Sequence, residues 1–519
     1  MPVQKKLYRS SSSALRRNLL LSTALTGVML AATGQPARAA NQIVNSTGDS
    51  PPPPGSTTLR SAIAASTFVD TITTSVSGTI TLMSNLPPVT GQTIDLSAGT
   101  LVVAGPFGVS FNSGSSSLTS PAMNTYSGAS ALVTGGNLAV VGAAGYSAPQ
   151  SQLEVDAAST FTANTTPTMG VAPGATFASL TGAGTINLGA GSGNGLDLSG
   201  NDQLSTIFSG NIIGAAGELA LFGGGGTLTL SGTNNTYSGP TDIFGNVIVG
   251  TPGGGPLGAT LIAGAANVFS HNSPVVMMGG ASSILNLNNN DQTIASLAGS
   301  GIVQLGSALL TLGGDNTTTI FTGGITGTGG IDKIGTGTFT LTNSGGALQA
   351  TFSGPTLIDG GKLLAGAVNS FSPNSAVAMA AGATLDLNSF NQTIAGLSGN
   401  GSVTLGSATL TINTPSATAP TFLGKISGTG GLTLSGAGTE VLVGLNNTFS
   451  GATTINGGTL QGGRSNVFSP NSAVTVAAGA TLDLKGNSQT IAGLSGAGSV
   501  TLATPFLPTT RRHRRPSAG

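Results

Sequence analysis

The sequence predicts an all-β chain, a parallel β-helix (solenoid) of imperfect repeats behind an export signal. Three observations predict it. Glycine supplies 83 of 519 residues, about twice ordinary usage, while charged residues are only 6% against about 25%. Short stretches alternate apolar and polar residues with period two. Long units recur at intervals near 100 residues.

Composition comes first. So few charges leave no material for Lys- and Glu-rich helical surfaces, whereas Val, Ile, Leu and Thr, which dominate the remainder, are strand formers. Disorder is disfavoured, because disordered chains are poor in aliphatic residues and rich in charge. There is no cysteine, so disulfides and thiolate–metal sites are excluded and stability must come from burial and stacking.

The alternation is seen in Gly226-Thr227-Leu228-Thr229-Leu230-Ser231-Gly232, Gly337-Thr338-Phe339-Thr340-Leu341 and Ala383-Thr384-Leu385-Asp386-Leu387. Period two puts the large apolar side chains on one face and Thr or Asp on the other. Such short strands cannot bury an apolar face alone. Stacked coils close a common core and pair each backbone with the coils above and below.

The repeats supply the third argument. Asn124-Thr125-Tyr126-Ser127-Gly128 recurs as Asn235-Thr236-Tyr237-Ser238-Gly239 and Asn447-Thr448-Phe449-Ser450-Gly451, and Thr351-Phe352-Ser353-Gly354 is a copy without the Asn. Gly-Gly-x-Leu follows at Gly135, Gly360 and Gly457, and the copy at Tyr237 departs with Phe244-Gly245-Asn246-Val247. A second unit begins at Val268-Phe269-Ser270, Ser370-Phe371-Ser372 and Val467-Phe468-Ser469, and ends in Gln292-Thr293-Ile294, Gln392-Thr393-Ile394 and Gln489-Thr490-Ile491. The reading gives Tyr126, Gly128, Tyr237, Gly239, Phe352, Gly354, Phe449 and Gly451 structural roles, with the aromatics expected to stack along the solenoid and Asn and Thr ladders to serve its corners.

Gly-x-Leu-Thr-Leu-Ser-Gly-x-Asn-Asn-Thr-Tyr-Ser-Gly, with Gly-Gly-x-Leu downstream, resembles the autotransporter-associated β-strand repeat over roughly residues 115–502. Thr58-Leu59-Arg60-Ser61-Ala62-Ile63, followed by Gly78-Thr79-Ile80-Thr81-Leu82, resembles the opening of other secreted bacterial β-helix proteins. The resemblance implies a right-handed parallel β-helix, an autotransporter passenger domain carried across the outer membrane by a C-terminal translocator barrel. Nothing after Leu502 supplies such a barrel, which needs many alternating strands of about ten residues. The expectation is a truncated product or a separate translocator as partner.

The domain reading runs from a signal peptide at 1–39, through N-terminal β-helix coils at 40–114 and the repeat-bearing β-helix at 115–502, to a basic tail at 503–519. The leader has a basic segment ending at Arg16-Arg17, an apolar run from Leu19 to Ala32, and Ala37-Arg38-Ala39, so cleavage is expected at Ala39 or Ala40. Sec-type and twin-arginine export both remain open. The tail, with Arg511-Arg512-His513-Arg514-Arg515, reads as a shifted frame or truncated gene in preference to a nucleic-acid or lipid anchor. Localisation is accordingly exported, at the cell surface or extracellular, or periplasmic for a truncated product.

The neutral overall charge hides an asymmetry. Between Asn41 and Thr510 there are six basic and sixteen acidic side chains, a formal charge of −10. Nucleic acid and anionic membranes are therefore poor partners. No later stretch is apolar enough for a transmembrane helix.

A search for chemistry yields no catalytic, cofactor or metal residue. His271, the only histidine of the body, stands where other copies carry Pro373 and Pro470, and reads as a loop substitution. Asp386 and Asp483 recur as Leu-Asp-Leu, with Asn286 in the preceding copy, and read as outward decoration, although a glycosidase would need two facing carboxylates. The body arginines Arg60 and Arg464 have no acidic cluster nearby in sequence, as a lyase would require. The expected function is a structural or adhesive surface passenger, not an enzyme, with an unidentified surface or carbohydrate target. A secreted carbohydrate-active β-helix enzyme and a non-functional fragment are the alternatives.

Overall fold

The computed structural model describes short segments between residues 42 and 165 and then, nearly continuously, 175–190, 195–199, 203–245, 258–342 and 349–502. The leader with Ala39 and Ala40, the element at Tyr126 and Gly128, and the tail after 502 lie outside the described residues. Within them the chain is all-β apart from helical residues at Ser61, Ala62 and Ala65 and a single-turn 3-10 segment at Gly280–Ser282. Every pairing between the named strands is parallel, as a solenoid requires. No helix among the described residues is long and apolar enough to cross a membrane.

The coil has three faces. One coil runs through Ser296–Gly299 on face A, Ile302–Gly306 on face B and Leu309–Leu312 on face C. The next coil runs through Thr319–Phe321, Gly324–Gly327 and Gly330–Lys333 on the same faces. Stacking is in register. Val303 pairs with Ile325 on face B, Leu310 with Ile331 on face C, and Phe321 with Leu341 on face A.

Alternation becomes burial directly. In Thr227–Leu230 the two leucines are buried and the threonines half-buried, and Leu410–Ile412 shows the same order; in Thr453–Ile455 the buried positions are Thr453 and Ile455. The inward residues form one contiguous apolar cluster that includes Leu153, Leu228, Leu310, Leu410 and Leu482. Burying a Leu or Phe contributes roughly 1.5–3 kcal/mol, but only once a second coil covers it.

Corners are turned by left-handed backbone. Asn288, Asn388 and Lys485 have φ of 49°, 47° and 49°. Their amide N–H groups donate to the side chains of Asn286, Asp386 and Asp483, at 2.8, 2.9 and 2.9 Å. The recurring Asx position of Leu-Asp-Leu therefore closes a corner by a side-chain–backbone turn. Asp386 also accepts from Lys362 at 2.8 Å and Asp483 from Gln461 at 2.8 Å. The sequence expectation of simple solvated decoration is corrected to that extent: the residue is a corner brace, and Asn serves as well as Asp because only an oxygen acceptor is required.

The long repeat and the coil are out of phase. From Asn286 to Asp386, and again from Asp386 to Asp483, the chain advances by fourteen strand positions. Fourteen is not a multiple of three, so equivalent residues change face with each repeat. Asn286 lies on face B, Asp386 on face A and Asp483 on face C.

Candidate functional surface

The aromatic elements organise four successive coils through buried hydrogen bonds. Asn235 accepts from the amide of Ile212 on the coil before it at 2.5 Å, and donates to the carbonyls of Gly232 at 3.0 Å and Val268 at 2.6 Å. Ser270 donates to the carbonyl of Tyr237 at 2.5 Å and Ser273 to that of Gly239 at 2.7 Å. One coil further on, Gln292 accepts from the amides of Val268 and Phe269, both at 3.0 Å, and donates to Ala265 at 2.7 Å. Asn235 and Gln292 are both buried, so their amides replace water for backbone groups that would otherwise be unpaired.

The same set recurs around Phe449. Asn447 accepts from Ile426 and donates to Gly444 and Val467, Ser469 donates to Phe449, Ser472 to Gly451, and Gln489 accepts from Val467 and Phe468. Around Phe352, Ser372 and Ser375 donate to Phe352 and Gly354, and Gln392 accepts from Phe371. The Gln and Ser positions were visible in the sequence only as punctuation. Their recurrence was the signal, and their buried amide and hydroxyl bonds are what it encodes.

Tyr237, Phe352 and Phe449 are all buried. Tyr237 lies on face C, Phe352 on face B and Phe449 on face A, as their bonds to neighbouring coils require. The expected stacking does not occur among Tyr237, Phe352 and Phe449, because a fourteen-strand step separates successive copies by four and two-thirds coils. The ring contacts among the described residues are Phe161 with Phe177, edge-to-face at 5.7 Å, and Phe222 with Phe244, stacked at 4.5 Å. The Tyr237 hydroxyl bonds Thr241 at 2.6 Å, and Thr241 bonds Ser273 at 2.8 Å. In the Phe copies the Thr–Ser pair stands alone, as Thr356–Ser375 and Thr453–Ser472. Burial pushes the Tyr237 phenol up to about 12, against the smaller opposing effect of the Thr241 and Ser273 bonds.

The glycines of these elements meet the coil below. A Cβ on Gly354 or Gly451 would overlap the backbone of Gly329 or Gly430. Close approach, not a left-handed φ, demands glycine there.

His271 lies in a groove of about 390 Å³ where face B turns into face C. Thr233, Asn234, Asn235 and Thr236 contribute from one coil, Asn267, Phe269 and His271 from the next, and Thr293 from a third. The side chains of Thr233, Asn234, Thr236, Asn267 and His271 are exposed. The loop substitution of the sequence reading therefore lines a groove. A single sequence could not show this, because the groove residues are spread over about 60 positions.

Titratable groups elsewhere are few and buried. Asp197 on face A is pushed up to about 7, first by burial and then by the Glu218 carboxylate, with a Thr176 bond opposing. Asp242 also stands at about 7, through burial and Glu218. Glu440 points into the core and is fully buried; burial pushes it up to about 8 against the bonds from the Thr414 hydroxyl and the Leu397 amide. Lys333 is buried and donates to the carbonyls of Ile334, Gly335 and Gly360 at 2.7, 3.2 and 3.4 Å, and burial lowers its pKa. Among the described residues no group of three or more His, Cys, Asp or Glu side chains is placed to hold a metal ion. Asp386 and Asp483 sit on different faces nearly five coils apart, on the order of 22 Å at the usual strand spacing. A glycosidase pair needs roughly 5–10 Å.

A parallel β-solenoid whose coils are tied together at recurring Asn-Thr-Tyr/Phe-Ser-Gly elements is the class this geometry defines. The Passenger-associated-transport-repeat family matches residues 223–244, 331–365 and 432–461, and each match brackets one such element. The chain is 35% identical over 294 residues to the Adhesin BmaC autotransporter of Brucella suis biovar 1 (strain 1330), a match covering 55% of this chain and 8% of that protein. No solved structure matches. The chain is thus similar to autotransporter passengers, and it spans only 8% of the length of the relative it matches.

Proposed function

We propose that this chain is exported, displayed at the cell surface with a translocator barrel as partner, and adheres to a target through the outward side chains of its solenoid. The similarity to a protein named an adhesin carries this reading. The fold is consistent with it, because the core is filled with side chains and the variable chemistry faces outward. The repeat elements act as structural ties in this reading, with Tyr237, Gly239, Phe352, Gly354, Phe449 and Gly451 inside the coil stack and the target met by residues between them.

Beads coated with the purified chain test the reading. They are expected to attach to host epithelial cells or extracellular matrix several-fold more than beads coated with a solenoid of unrelated sequence. Equal attachment would reject adhesion.

A further inference from the structure

We propose that the groove at His271 is a binding site for a neutral oligosaccharide, a reading that rests on the adhesive role and names its ligand class. Six side chains carry the argument: Thr233, Asn234, Thr236, Asn267, His271 and Thr293. Four of them, Thr233, Asn234, Thr236 and His271, make no side-chain hydrogen bond within the described residues. By contrast the neighbouring Asn235 is fully engaged by Ile212, Gly232 and Val268. The polar groups left facing the groove are thus those the fold does not use.

Their chemistry selects the ligand. Amide and hydroxyl side chains both donate and accept, which matches sugar hydroxyls, and the groove contains no carboxylate, Lys or Arg. The volume of about 390 Å³ lies within the roughly 300–1,000 Å³ of small-molecule sites and takes one or two sugar rings. Phe269, buried at the base, offers an apolar surface to sugar C–H groups. The acidic body disfavours anionic glycans. A protein partner would need an exposed aromatic or Arg anchor, and the groove has none.

The other copies sharpen the assignment. At the equivalent corner of the copy at Phe449, Leu445 replaces Thr233 and Pro470 replaces His271, while Asn446, Thr448, Asn466 and Thr490 are retained. The fold therefore tolerates loss of the two polar groups, and their presence at the copy of Tyr237 is surplus to stacking.

Titration calorimetry of the whole chain with lactose, maltotriose, chitotriose and sialyllactose tests the proposal. At least one neutral sugar is expected to bind in preference to sialyllactose. His271→Pro and Asn234→Ala are each expected to weaken binding about tenfold or more without moving the melting temperature, since Pro occupies the equivalent position elsewhere. Absence of neutral-sugar binding, preference for sialyllactose, or binding unchanged in both variants would overturn the site. If coated beads attach to cells and both variants attach equally, adhesion stands and the groove assignment falls. If the groove binds sugar but the beads attach nowhere, the site stands and the adhesive role falls.

Discussion

The copies around Asn447 and Ala350 solve one problem in two ways. In the first, the amide of Ile426 on the preceding coil donates to the Asn447 side chain at 2.6 Å. In the second, the equivalent amide of Ile325 donates to the backbone carbonyl of Gln349 at 3.2 Å, and Ile325 forms a parallel bridge with Ala350. The amide must be paired in both cases, because a buried unpaired N–H costs on the order of 1–3 kcal/mol. Where the chain stands off, an Asn side chain fills the gap. Where it closes in, the backbone suffices and Ala fits. What the repeat preserves is the pairing of backbone groups between coils, and the residue at the position varies with how that pairing is achieved.

The comparison can be broken most severely by replacing both asparagines. Asn235→Ala with Asn447→Ala removes three buried bonds at each of two distant sites, and the losses should add to roughly 4–6 kcal/mol. Hydrogen exchange should show the Ile212 and Ile426 amides deprotected while Ile325 stays protected. Retained protection at Ile426 would mean that the coil closes as it does at Ala350.

A second contrast lies one strand before Asn447, at Thr439–Leu442. Glu440 occupies the inward position held by Leu228 and Phe339 in the other copies. Its folded pKa of about 8 lies above the ordinary 4.5, so the folded state holds the proton more tightly. This contribution to stability is fully present below about pH 4.5 and is lost as pH rises through about 8. Exchange from the coil at 432–449 should therefore quicken between pH 5 and 8 beyond the intrinsic rate, by a few kcal/mol in opening free energy. Glu440→Leu should abolish that dependence and stabilise the coil at neutral pH; a dependence unchanged in this variant would place its origin in Asp197 and Asp242.

Smaller effects refine the picture. Tyr237→Phe leaves the Thr241–Ser273 pair that the Phe copies already use, so thermal unfolding should shift by less than about 1 kcal/mol. Lys362→Ala breaks a half-exposed pair with Asp386, whose corner bond to Asn388 remains. The cost should be about 0.5 kcal/mol and should vanish in high salt.

Much of the fold was legible in the sequence because period two maps directly onto inside and outside, as in Thr227–Leu230 and Thr384–Asp386. The site was less legible. Spacing between copies reports residues, not strand positions, and several positions on a face, such as Asn447 and Val467, are not regular strand. The fourteen-to-three mismatch was therefore hidden, and aromatic stacking was expected where none occurs. Glu440 and Lys333 carried no signal in the sequence, and only the coil places them inside. The groove at His271 needed three coils side by side before its members met.

Under the surface display proposed above, that mismatch has a consequence. An element that steps back one face per repeat has no preferred azimuth. After three repeats it has pointed in every direction the three-sided cross-section allows. A solenoid of this kind need not be rotated into position to meet a neighbour. Lengthening it by whole repeats changes how many sides are served as well as how far it reaches.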